Sequence, residues 1–152
     1  MPHAISPLVS QVEAPPIAEA MSWVRQGARN RELLNLCQAV PSYPPAEGLQ
    51  AEFARIAHLP GTGGYTHIHG IEPLRAAHAA AMGRDYGATI AADRVSITTG
   101  CNQAFAAAMM AVAQAGDEVV MPVPYYFNHH MWLKMLGIGL VGIPAFSPTE
   151  NH

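Results

Sequence analysis

Between Arg94 and Ala145 the hydrophobic pattern switches repeatedly between two periods. A β-branched run, Val95 to Thr99, stops at Gly100, and an Ala- and Met-rich run follows from Cys101 to Gln114. The turn Gly116-Asp117 leads into a second strand-like run, Glu118 to Val123. A helical run from about Tyr126 to Leu136, then Gly137 and a last strand-like run from Leu140 to Ala145, complete the series. Strands alternating with helices of this length predict an α/β sheet joined by right-handed crossovers. In the first of these helices, Phe105, Ala108, Met109 and Val112 fall at the spacing of a buried face.

Upstream the pattern differs. Residues 1–16 carry four prolines and read as an extended arm. Pro16 then opens a helix marked by Ile17, Met21 and Val24 and running to about Asn30, since proline suits a first helical turn. A short apolar run from Leu33 to Val40 precedes a proline-rich loop, Pro41 to Pro45. Leu49, Phe53 and Ile56 mark another helix stopping near Pro60, and a glycine-rich loop carrying Tyr65, His67 and His69 follows to Gly70. From Ile71 the pattern is helical again, with Leu74, His78 and Ala81 on one face and His78 expected as a core histidine; 85–93 reads as a linker.

Composition bounds the function. Half the residues are hydrophobic and 12% are charged, well under the roughly 25% of an ordinary domain. Such a surface suits a chain that buries much of itself against something else. The net charge is −3 and the eight basic residues are scattered, which argues against nucleic acid. No apolar stretch reaches the roughly 20 residues of a membrane span. Cys37 and Cys101 form no CxxC pair and, without a signal-peptide pattern at the start, read as reduced thiols in the cytoplasm.

A strand that turns on a glycine into a helix leaves backbone N–H groups unpaired at the helix start. With the helix dipole these donors suit a phosphate, so the junction at Gly100 is the first candidate site. The loop before Tyr65 lacks P-loop spacing and no GxGxxG follows a strand, which sets aside those nucleotide motifs. His67 and His69 are spaced to ligate a metal in an extended segment, but no carboxylate or cysteine cluster nearby completes the shell. Cys101, at a helix start, is a weaker nucleophile candidate with no base close in sequence. The cluster Tyr125-Tyr126-Phe127 follows the carboxyl end of a strand, where ligands sit in open α/β sheets; it reads equally as a ring platform or as packing.

Four stretches, in order, resemble the N-terminal portion of the class I/II aminotransferases, fold-type-I enzymes that use pyridoxal 5′-phosphate. They are Asn35 to Pro44; Tyr65 with Gly70 and Leu74-Arg75; Thr98 to Phe105; and Gly116 to Val119 through Pro124-Tyr125-Tyr126. The resemblance implies an α/β fold, an incomplete aspartate-aminotransferase-like large domain (47–152) preceded by an N-terminal arm and small-domain segment (1–46). It implies that Gly100, Cys101 and Asn102 hold the cofactor phosphate, that Tyr126 stacks on its ring, and that Tyr65 reaches the cofactor of a neighbouring subunit in a homodimer. Ala39 falls where the family has glycine near the substrate carboxylate. The implied reaction exchanges an amino group between an amino acid and a 2-oxo acid.

The family's Schiff-base lysine is absent. The only lysine is Lys134, which does not match its motif, so a fragment without its own catalytic residue is expected. By the same resemblance, later strands would separate the strand at Val95 from that at Val119. Two alternatives stay open: a non-catalytic domain that binds pyridoxal phosphate or partners a full-length subunit, and a metal-dependent hydrolase built on His67 and His69.

Overall fold

The computed structural model describes residues 4–27 and 40–146. The chain divides into two compact units, one of Met1–Gly27 with Thr98–His152 and the other of Ala28–Ile97. Ala39, Cys37 and the run from Leu33 lie outside the described residues, as does the expected helix end at Asn30.

The first unit is built on the alternation read from sequence. Helix α5 (Cys101–Val112) precedes strand β1 (Glu118–Val123), helix α6 (Phe127–Leu136) and strand β2 (Gly139–Pro144). β1 and β2 pair in parallel, Val119 beside Leu140 and Met121 beside Gly142, and α6 is the crossover that a parallel pair requires. Met121, Leu133 and Ile138 form the core, with Phe105, Met109, Val119, Tyr125 and Leu140 packed around it. Gly137 ends α6 in the left-handed region (φ 71°), which brings the Ile138 N–H to the Leu133 carbonyl at 2.9 Å. This Schellman turn puts two core residues, Leu133 and Ile138, side by side. Val120, Val141 and Ile143 on the other sheet face are exposed.

Two expectations shift here. The covered face of α5 is Asn102, Phe105, Ala106, Met109 and Ala113, whereas Ala108 and Val112 are exposed. Nearly every residue of α5 is apolar, so the pattern alone could not fix the face. The arm is not wholly extended: Pro7–Ser10 forms a single turn, α1, closed by the Ser10 N–H on the Ser6 carbonyl at 3.0 Å. Helix α2 (Pro16–Gln26) starts on its proline and half-buries Ile17, Met21 and Val24, as its spacing predicts.

The second unit holds α3 (Glu47–Ala57), α4 (Glu72–Tyr86) and a 3-10 turn, Ala92–Arg94. Thr62 Oγ1 donates to the Ile56 and Leu59 carbonyls, both at 2.9 Å, closing off the end of α3. The run from Val95 to Thr99 is not a strand, although Val95 is extended (φ −110°, ψ 128°). Among the described residues it has no ladder neighbour. Part of its backbone bonds within the unit instead: Arg75 Nε donates to the Val95 carbonyl (2.9 Å), and the Ile97 N–H donates to the His69 carbonyl (3.0 Å). His78 is exposed, not a core histidine, because α4 turns Ala79 inward rather than the Leu74–His78–Ala81 face.

Candidate functional site

The junction at Gly100 is a loop-to-helix turn on the first unit. Gly100 caps α5 with φ 80° and ψ 166°, a backbone region kept for glycine. A Cβ built there would meet nothing within 4 Å, so the requirement is conformational, not steric. The Gly100 N–H turns back to the Thr98 carbonyl (2.9 Å), and Thr98 Oγ1 donates to the Gly100 carbonyl (3.0 Å). The Thr99 N–H donates to Gln103 Oε1 (2.6 Å), and the Ala104 N–H reaches the Gly100 carbonyl (3.4 Å). Among the described residues, the consecutive N–H groups of Cys101, Asn102 and Gln103 have no acceptor. They sit at the positive end of a 12-residue helix with no acidic residue in its first turn.

An anion fits this chemistry. Asn102 Oδ1 is enclosed and has no hydrogen-bond partner among the described residues. That oxygen is an acceptor, so the donors offered to an anion here are the backbone N–H groups. The Cys101 thiol is free and exposed. An open hollow of about 440 Å³, lined by Met110 to Gln114 and Asp117, lies at the opposite end of α5, where the helix offers carbonyls rather than donors.

The aromatic cluster divides its labour. Tyr125 packs on the core and sits edge-on to His130 at 5.7 Å, so that ring is packing. Tyr126, at the N-cap of α6, is 46% exposed, and its hydroxyl accepts from Asn128 Nδ2 at 2.6 Å. The Tyr126 ring stands edge-on to His129 (5.4 Å, 82°), and His129 stacks on Phe105 of α5 (4.0 Å, 13°). These rings tie the aromatic loop to the second turn of the helix that Gly100 caps. Gln103, Asn128 and the Phe105–His129 stack are absent from the sequence reading; a glutamine three residues into a helix was a usable signal for the first.

Tyr65 lies on the second unit and is fully exposed. On the same loop, His67 Nδ1 accepts the His69 N–H (3.2 Å), and His69 Nδ1 pairs with Ser96 Oγ (2.9 Å). Both Nδ1 atoms are thereby engaged locally. Among the described residues no group of three or more His, Cys, Asp or Glu gathers as a metal shell. Lys134, on α6, has its Nζ 3.7 Å from Glu13 Oε1. No helix among the described residues is long and apolar enough to cross a membrane.

The chain is 36% identical to the valine–pyruvate aminotransferase of Mycobacterium tuberculosis over 90% of its own length and 37% of that protein's. It is 31% identical to an aspartate aminotransferase of Thermotoga maritima, over 88% of this chain and 34% of that one. The crystal structure of an aminotransferase from Mycobacterium tuberculosis superposes with a TM-score of 0.80 at 32% identity, covering 96% of this chain and 38% of that one. For the aspartate aminotransferase structure from Thermotoga maritima the TM-score is 0.74 at 26% identity, with 93% and 38% covered. The chain thus spans a little over a third of the length of these relatives. The family model for class I and II aminotransferases matches residues 31–152, and the chain belongs to that family.

Proposed function

We propose that this chain forms the phosphate cup and ring platform of a pyridoxal-phosphate-dependent transaminase acting on an amino acid and a 2-oxo acid. One observation carries the reading. The unpaired N–H groups of Cys101 and Asn102, behind a glycine-only turn at Gly100, lie inside the segment matched by the aminotransferase family. When bound, the cofactor supplies the electron sink for amino-group exchange. Gly100 sets the turn, while Cys101 and Asn102 donate to the phosphate, mainly from the backbone. Tyr126 offers a ring face, and the Asn128 bond to its hydroxyl fixes that ring's orientation.

The relatives named above are called valine–pyruvate and aspartate aminotransferases, so the class of reaction carries over and the donor amino acid does not. The Lys134 ammonium faces Glu13, and we place the amine that bonds the cofactor in chain outside these 152 residues. The full exposure of Tyr65 supports its contact with the cofactor of a second subunit, hence a homodimer. Ala39 is proposed beside the substrate carboxylate, 1–46 as arm and small-domain segment, and 47–152 as the start of the large domain. The cytoplasm is the proposed compartment.

Titrating pyridoxal phosphate into the purified chain tests the cup. Saturable quenching of Tyr or Trp fluorescence, competed by inorganic phosphate, is expected; unchanged emission up to millimolar cofactor would remove the reading. The non-catalytic alternative rests on the chain's partial coverage of its relatives. Coding sequence after His152 that continues into a lysine-bearing aminotransferase segment excludes it.

A further inference from the structure

We propose that Gln103 is the positioning residue of the phosphate cup, its side chain holding the Thr99–Gly100 turn so that the next three N–H groups converge on an anion. The proposal rests on reading the start of α5 as a phosphate site. Gln103 occupies the third helical position, from which a Glu or Gln side chain reaches back to cap the helix start. Here it reaches one residue further than the usual capping box, to the Thr99 N–H, in a 2.6 Å bond. The Gly100 N–H, the ordinary target, is already taken by the Thr98 carbonyl.

The consequence is a sorting of donors. Six consecutive amides run from Thr99 to Ala104. Thr99 is consumed by Gln103, Gly100 by Thr98 and Ala104 by Gly100, which leaves Cys101, Asn102 and Gln103 open. Without the Gln103 bond, the Thr98–Thr99 peptide keeps only the Gly100 N–H on its carbonyl and can rotate about that one contact. Gly100, which has no side chain and no neighbour within 4 Å of where a Cβ would lie, offers no resistance to that rotation. The direction of the Cys101 N–H depends on both. Gln103 is neutral, so it makes this bond without placing a negative charge beside the anion.

The bond needs only an acceptor at the end of a chain of this length. Gln103→Glu keeps it, and Gln103→Met has a similar length and no comparable acceptor. Inorganic phosphate is titrated into the full chain while the backbone amide resonances of Cys101 to Gln103 are followed. For Gln103→Met the expected result is about tenfold weaker phosphate binding, the effect of one lost hydrogen bond on a preorganised site. The Gln103→Glu variant keeps the bond but sets a charge near the anion, so its loss of phosphate affinity should shrink as salt is raised, whereas the Gln103→Met loss persists. Amide exchange at Thr99 supplies an independent readout, rising in Gln103→Met and unchanged in Gln103→Glu. Thermal midpoints of the two variants should differ far less than their phosphate affinities.

Equal phosphate affinity in the parent and Gln103→Met overturns the positioning role while leaving the cup in place. Failure of the parent's amides to respond to phosphate or pyridoxal phosphate removes the cup itself, and the positioning role with it. Should Gln103→Met not fold, fast Thr99 exchange in the parent chain refutes the bond, and slow exchange preserved in Gln103→Glu supports it.

Discussion

Helices α3 and α6 differ by one residue in length, 11 against 10, and both carry apolar residues at helical spacing. Every residue of α6 is at least half-buried and Leu133 is fully enclosed, whereas every residue of α3 is exposed, Phe53 and Leu49 included. An apolar stripe therefore shows which face of a helix seeks cover, not whether cover is at hand. In the first unit, β1, β2 and α5 supply it, and stability there comes from side-chain burial. The second unit buries only Ala79 and Val95 among its described residues. It relies on close backbone approach and local hydrogen bonds: Gly70 against Ile97, Arg75 on Val95, and Thr62 at the end of α3.

The largest expected effect tests the first half of that contrast. Leu133→Ala empties a fully enclosed position between β1 and α5 and should lower stability by about 4 kcal/mol. Phe53→Ala removes a larger side chain from the surface of α3 and should change stability by less than about 0.5 kcal/mol. Urea unfolding followed by far-ultraviolet circular dichroism, which both units contribute to, reads both. Comparable shifts for the two variants would break the contrast between the units.

Gly70→Ala tests the second half. Gly70 has φ 92°, and a Cβ there would lie 2.8 Å from Ile97 Cγ1 and 2.9 Å from Ile97 Cβ. The second of these atoms cannot swing away, so positive-φ strain and a close contact add to about 3 kcal/mol. Gly100→Ala has the strain without the contact, since nothing lies within 4 Å, and should cost about 1.5 kcal/mol. The two substitutions thus separate crowding from conformation, and denaturant midpoints should rank them in that order. Gly100→Ala should in addition weaken phosphate binding, which Gly70→Ala leaves intact.

How much of this was legible in the sequence depends on whether the determinant is local. Gly116-Asp117, β1 and Gly137 fall where their residues predict, because turn chemistry and period-two alternation act over a few neighbours. The run Val95–Thr99 reads as a strand yet forms none, because a ladder needs a neighbour that the run itself does not encode. The face of α5 was displaced from Ala108 and Val112 to Asn102, Ala106 and Ala113, since a helix apolar all round carries no phase. At the site, Gly100 was readable as a glycine-only turn. Gln103 was missed although its position three residues into the helix is a capping signal, and Asn128 was missed because its bond to the Tyr126 hydroxyl is set by rotamers.

The smallest expected effect lies on α3 and shows how little its most visible polar contact does. Arg55 makes two bonds to Glu52, at 2.7 and 2.8 Å, one turn apart on an exposed face. The guanidinium holds the Glu52 carboxyl below its ordinary range, and the carboxylate in turn raises Arg55. A carboxyl whose folded pKa is lowered contributes stability that is present above its unfolded value and lost as pH falls through the folded one. The loss therefore belongs to the acid limb, below the ordinary glutamate range, and water screening keeps it small. Glu52→Gln should leave the unfolding midpoint at neutral pH unchanged within error. In Arg55→Met, a carboxyl-detected NMR titration should show the Glu52 midpoint rising back toward the ordinary glutamate value. A large neutral-pH destabilisation by Glu52→Gln would mean that α3 is held by its polar face after all, and that its bare apolar stripe is not the feature that sets it apart from α6.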